Sequence, residues 1–196
     1  MIVLGLTGSI GMGKSTTAAM FRAFGVPVFD ADRCVHRVYA GEPPAAVAAR
    51  FPEAVVDGKI DRGRLGSQVL DDREAMAALE EMIHPIVESE RNKFICDQKK
   101  GGARIVVLDV PLLFETDTWR RVDAIIVVTA PKEVQRERVL SRDLMDEDKF
   151  FNILKRQIPD TKKRKSAQFI VKTEFGFESV RRQIRNVIAA LAQIDK

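Results

Sequence analysis

Two cysteines in 196 residues leave little from which bridges or thiolate metal clusters could be built. Cys34 and Cys96 stand far apart with no further cysteine at metal-ligand spacing, which excludes a disulfide framework and matches usage in a reducing compartment. Neither is expected to be a nucleophile. The apolar run Ala124-Ile125-Ile126-Val127-Val128 is strand-sized, and no apolar run approaches the roughly 18 residues that a membrane span needs. No basic stretch precedes the apolar start Met1-Ile2-Val3-Leu4-Gly5-Leu6 and no small-residue cleavage site follows it, so no secretory signal is expected and a cytoplasmic location is. Charge of one sign is missing as well. Thirty-two Lys and Arg against 28 Asp and Glu leave +4, which suits an anionic small molecule and is too small and scattered for a nucleic-acid scaffold.

What the chain does contain is the composition of a folded globular protein, 45% hydrophobic and 31% charged, at a length that one domain with an insertion accommodates. Three continuous apolar, β-branched runs read as strands buried on both faces: Ile2 to Leu6, Ile105 to Leu108 and Ala124 to Val128, with Val26 to Phe29 a shorter fourth. The clearest helix is the last, where Val180, Ile184, Val187, Ile188, Leu191 and Ile194 recur every three or four residues. Strands alternating with helices predict an α/β fold with a mostly parallel sheet, and place ligands beyond the carboxyl ends of its strands. Between Asp32 and Arg104 strand signals are nearly absent, whereas Ala45 to Arg50, Arg62 to Leu70 and Glu74 to Asp97 are rich in helix formers. We expect a single domain over 1–196, with its core in about 1–31, 104–141 and 166–196, a helical insertion over about 32–103, and a charged helical lid over about 142–165.

The strongest motif is Gly8-Ser9-Ile10-Gly11-Met12-Gly13-Lys14-Ser15, a complete G-x-x-x-x-G-K-[ST] phosphate loop between the first strand and a helical pattern. Its glycines let backbone N–H groups converge on phosphate oxygens, and a helix starting at Lys14 adds its positive end. Lys14 reaches the β- and γ-phosphates, and the Ser15 hydroxyl, with Thr16 beside it, is placed for Mg²⁺. A ligand-free glycine turn would leave the clustered glycines and the lysine unexplained.

The loop says that ATP-like phosphates bind and leaves the acceptor open. Asp30 and Asp32 follow the second strand; such a pair is as often a turn and helix cap as a catalytic pair, with Asp30 the better cap and Asp32 the better base. Asp109, ending the strand from Ile105, is equally an acid near Mg²⁺ and a strand-ending turn residue before Pro111. Arg138 and Arg142 fall four apart on a helical pattern from Glu133, so both would share one face as a phosphate clamp or as a solvated surface. His84-Pro85 closes a helical stretch, and Lys162-Lys163-Arg164-Lys165 reads as solvated charge.

Taken in order, the segment from Gly5 to Thr16, then Phe29-Asp30-Ala31-Asp32, Met82-Ile83-His84-Pro85 and Asp109-Val110-Pro111-Leu112-Leu113-Phe114-Glu115, resembles the dephospho-CoA kinase family over nearly the whole chain. Asp57-Gly58-Lys59-Ile60-Asp61 and Gln157-Ile158-Pro159-Asp160 are further small matches. The resemblance implies a P-loop three-layer α/β/α sandwich that moves the γ-phosphoryl of ATP, with Mg²⁺, onto the ribose 3′-hydroxyl of dephospho-CoA. It implies that Asp32 is the base, that Arg142 lies in the lid, and that Thr7, Asp32, His84, Pro111, Leu112, Leu113 and Glu115 meet the acceptor. No nucleic-acid, membrane or obligatory protein partner is implied. Where many members read Ala-Asp-x-Val-Ile-x-Asn before a glycine near the adenine, this chain reads Ala167-Gln168-Phe169-Ile170-Val171-Lys172-Thr173.

Two other readings stand beside it. A kinase for nucleosides or their monophosphates shares loop, lid and sheet. A regulatory switch or nucleic-acid-associated ATPase would suit the basic run, but no guanine-reading Asn/Thr-Lys-x-Asp tetrapeptide occurs and Thr161-Lys162-Lys163-Arg164 lacks the acid.

Overall fold

The computed structural model describes residues 1–143 and 145–194, with the side chain of Ile194 outside the described set. The chain forms two compact units, residues 1–29 with 98–196, and residues 30–97.

In the first unit β1 (Ile2–Thr7) leads through the phosphate loop into α1 (Lys14–Ala23), and β2 (Val28–Asp30) follows. The remaining strands of this sheet are β5 (Ile105–Asp109), β6 (Ala124–Thr129) and β7 (Phe169–Lys172), and the sheet runs β2-β5-β1-β6-β7. β1 pairs in parallel with β5 and with β6, and β6 in parallel with β7. Central β1 therefore has a neighbour on each side, and the loop leaving its carboxyl end lies where the winding of the sheet reverses. Both faces of the strands are covered, which is why β5 and β6 are apolar at nearly every position and buried throughout. One face carries Leu4, Leu6, Ile126, Val128 and Val171, packed with Ala18 and Phe21 of α1 and with α9 (Gly176–Ile194). The stripe Val180, Ile184, Val187 and Leu191 is buried as its spacing predicts, each side chain worth roughly 1.5–3 kcal/mol of burial. The other face gathers Ile125 and Val127 under Leu113.

β7 was not among the expected strands. Its four residues alternate, with Val171 buried and Ile170 and Lys172 exposed, so only one side chain of the alternation registers as core, and periodicity over so short an edge strand is weak. The connection from β6 holds α6 (Lys132–Leu140), α7 (Glu147–Arg156) and α8 (Asp160–Lys165), the last two within the expected lid.

The second unit holds α2 (Ala31–Ala40), α3 (Ala45–Arg50), α4 (Arg62–Val69) and most of α5 (Arg73–Lys100) around Val47, Phe51, Leu65, Val69, Leu79 and Ile83. It also contains a two-stranded hairpin, β3 (Val55–Val56) with β4 (Lys59–Ile60), turned by Asp57 and Gly58 at positive φ. Two-residue strands fall below any periodic signal, so the nearly strand-free reading of this region is corrected at that point. A second correction concerns His84-Pro85, which does not close a helix: α5 runs through Pro85. Glu81, whose carbonyl loses its donor there, and Pro85 are both on the exposed side, open to solvent, while Leu79 and Ile83 keep the opposite side packed.

Candidate active site

The phosphate loop is built by contacts that tolerate no side chain at two of its glycines. A Cβ on Gly8 would stand 2.7 Å from the carbonyl oxygen of Val128. Gly11 takes a φ of +78°, and a Cβ there would lie 2.5 Å from Cγ2 of Val139 and 2.9 Å from the carbonyl of Gln135. The loop is thus pressed against β6 on one side and α6 on the other. Gly13, left-handed at φ 89°, turns the chain into α1, and its carbonyl accepts both the Thr17 N–H and the Thr17 hydroxyl. Ser15 and Thr16 are exposed on the first turn of α1, and Thr17 is buried.

Lys14 extends from this turn to Asp109, with Nζ 2.6 Å from Oδ1. The partner is fixed by the sheet: β1 and β5 are in register with Leu6 opposite Asp109, so the acid ends its strand beside the loop's entry. Asp109 is almost fully buried and Lys14 nearly so. Asp109 is thus a buried acid at a strand end, its carboxylate held on the phosphate-loop lysine.

Arg138 and Arg142 do not share a helix face. α6 ends at Leu140, and Arg142 follows in a turn whose N–H reaches the carbonyl of Val139. Arg142 is exposed. Arg138 instead points at the end of β7, with guanidinium N–H groups 2.8 Å from the Thr173 hydroxyl and 2.9 Å from its carbonyl. The Thr173 hydroxyl donates in turn to the carbonyl of Met12 at 3.0 Å. Thr173, read from sequence only as a departure from a family pattern, thus ties β7, α6 and the phosphate loop together. The buried Met12 side chain adds a further tie, its sulfur accepting the Ala130 N–H at 3.0 Å.

Three of the expected acceptor residues are engaged within the protein. The Thr7 hydroxyl is fully buried and donates to the carbonyl of Pro111. Leu113 has no exposed surface and packs on Ile125 and Val127, so no ligand reaches it without the core opening. Glu115 reaches the lid: its Oε1 accepts the Ile158 N–H at 2.7 Å and lies 3.0 Å from Nζ of Lys163, while its buried Oε2 has no hydrogen-bond partner among the described residues. Lys163 corrects the reading of its own basic run as well, because its side chain has no exposed surface. Pro111 is half-buried and Leu112 is 40% exposed. In the second unit Asp30 caps α2 by accepting the Arg33 N–H, while Asp32 and His84 are exposed.

Two glutamines complete the loop's surroundings. The Ile10 N–H donates to Oε1 of Gln157, and the Ile10 carbonyl accepts from Nε2 of Gln135. A cavity of about 740 Å³ opens beside them, lined by Ser9, Met12, Gln135, Phe150, Gln157 and Lys172 among others. Among the described residues no cluster of three or more His, Cys, Asp or Glu forms a metal site from protein groups alone, and no helix is long and apolar enough to cross a membrane.

Comparison with known proteins agrees with this geometry. A family model described as dephospho-CoA kinase matches residues 2–178. The dephospho-CoA kinase of Rhodopseudomonas palustris is 51% identical over 196 residues, covering 100% of this chain and 98% of that protein. That of Mesorhizobium japonicum is 52% identical over 191 residues, covering 97% of each. Among solved structures, a protein of Thermus thermophilus superposes with a TM-score of 0.84 at 33% identity, covering 96% of each chain. Shikimate kinase of Aquifex aeolicus shares the fold alone, with a TM-score of 0.55 at 16% identity over 98% of this chain and 99% of that one.

Proposed function

The chain belongs to the dephospho-CoA kinase family, and from that premise we propose that it transfers the γ-phosphoryl group of ATP to the ribose 3′-hydroxyl of dephospho-CoA, giving coenzyme A and ADP. The observation that carries the reading is the union of family identity over the full chain with an intact phosphate loop whose lysine is held by Asp109.

Phosphoryl transfer asks the protein to position two oxygens in line and to neutralise charge as it spreads over the moving group. The loop from Gly8 to Lys14 leads into the start of α1, whose positive end meets the phosphates, and Lys14 supplies a positive charge for the γ-phosphate. Asp109 keeps that ammonium aimed across the loop until phosphate takes its place as partner. Arg138, fixed by Thr173, supports the nucleotide side, and exposed Arg142 comes from the lid segment to the phosphates. Asp32 accepts the proton of the acceptor hydroxyl, while its neighbour Asp30 caps α2. His84, Pro111 and Leu112 bind the acceptor.

The donor set fits Mg²⁺: a serine hydroxyl at the start of α1, Asp109 at the adjoining strand end, and ATP phosphates to complete an oxygen shell. Ser15 would hold the ion directly. When bound, it neutralises phosphate charge during transfer.

The test is product identity. Incubated with ATP, Mg²⁺ and dephospho-CoA, the protein yields a new ribose 3′-phosphomonoester resonance by phosphorus NMR, and the product co-elutes with coenzyme A. Recovery of unchanged dephospho-CoA contradicts the proposal.

A further inference from the structure

The phosphate loop is held at one peptide from two directions. Ile10, the third of its eight residues, donates its N–H to Gln157 at 3.1 Å and accepts Nε2 of Gln135 at 2.6 Å. Gln135 sits on the second turn of α6 and is 5% exposed, on the helix whose backbone already walls in Gly11. Gln157 comes from the opposite direction, as the residue that ends α7 in the lid. Its place is fixed one residue along the chain, where the Ile158 N–H donates to Glu115 and Glu115 faces buried Lys163. Asp160 adds a third tie, accepting the hydroxyl of Thr129 at the end of β6.

We propose that Gln157 and Gln135 are positioning residues for phosphoryl transfer, a clamp on the Ile10 peptide through which the lid sets the shape of the phosphate loop. The role rests on the function proposed above and adds to it a link between lid and loop. A carboxamide suits the task on chemical grounds. It offers both a donor and an acceptor, so one residue type serves the carbonyl and the N–H alike, and it adds no charge to compete with the phosphates or repel them. A lysine in place of Gln157 would be a phosphate ligand, and a glutamate a repulsive neighbour. Because peptide orientation decides where loop N–H groups point, loosening Ile10 misaims the cradle during transfer even though Gln157 touches no reacting atom.

The experiment compares wild-type protein with Gln157→Met, which keeps length and removes the acceptor, and Gln157→Glu, which keeps an acceptor oxygen. Amide hydrogen exchange at Ile10 is followed by NMR without nucleotide, and kcat and KM for ATP are measured with dephospho-CoA. Exchange at Ile10 rises about tenfold in Gln157→Met and stays near the wild-type rate in Gln157→Glu, which separates a lost hydrogen bond from a damaged fold. kcat falls about three- to tenfold in Gln157→Met with a smaller change in KM. Unchanged exchange at Ile10 in Gln157→Met overturns the clamp, and faster exchange with unchanged kcat overturns its part in transfer. Exchange is read without nucleotide, so a wild-type protein that fails to phosphorylate dephospho-CoA refutes the functional reading and leaves the clamp intact.

Discussion

Nζ of Lys163 lies 3.0 Å from Oε1 of Glu115, and the lysine side chain has no exposed surface. The pair joins the lid to the loop after β5. A buried ammonium without its carboxylate is costly, as is the reverse, so removing one partner is worse than removing both charges. Lys163→Met should lower stability by about 3 kcal/mol, and Lys163→Met with Glu115→Gln should recover most of it, since Gln keeps an acceptor for the Ile158 N–H. Urea unfolding of the four proteins of the cycle measures this. Single and double variants of equal stability contradict the pairing.

Lys14 meets the phosphates in ground and transition states alike. Lys14→Ala should weaken ATP affinity and reduce kcat by about a hundredfold or more. Titration calorimetry with a non-hydrolysable ATP analogue, together with steady-state rates, checks both halves. Unaltered affinity and rate refute the role.

Asp32 should behave differently. Asp32→Asn leaves the phosphate loop as it is, so nucleotide affinity persists while kcat falls by roughly 10²- to 10⁴-fold through loss of the proton acceptor. Near-normal turnover assigns the proton to another group. Asp30→Ala provides the contrast: loss of a helix cap costs about 1 kcal/mol of stability, read by thermal melting.

The two thiols should react at different rates. Burial pushes the Cys34 thiol above its ordinary pKa, an effect that Arg37 only partly opposes, so little thiolate forms near neutral pH. Cys96 is exposed. Iodoacetamide followed by peptide mass spectrometry should label Cys96 at least about tenfold faster. Equal labelling contradicts the burial of Cys34.

The features legible in sequence were those carried by local chemistry. The phosphate loop, its flanking strand and helix, the α9 stripe and Asp30 as a cap each depend on residues within one or two turns of one another. What escaped depends on long-range partners. Nothing near Lys163 in sequence says that one of the four basic residues turns inward, because its partner is Glu115, forty-eight residues earlier. Arg138 and Arg142 look equivalent until the end of α6 and the position of Thr173 separate them. Thr7 and Leu113 sit inside motif segments, yet the sheet's packing, not the motif, decides that they face the core. The Ile10 clamp joins residues 10, 135 and 157, and a lone glutamine carries no pattern that would single it out.

The γ-phosphoryl group should go to dephospho-CoA. That transfer is tested most directly by the initial rate of ADP release from ATP and Mg²⁺ with dephospho-CoA, adenosine, AMP or no acceptor at matched concentrations. Release that depends on dephospho-CoA, matched one for one by coenzyme A, is the predicted result. Equal release without acceptor, or with AMP in place of dephospho-CoA, would contradict it.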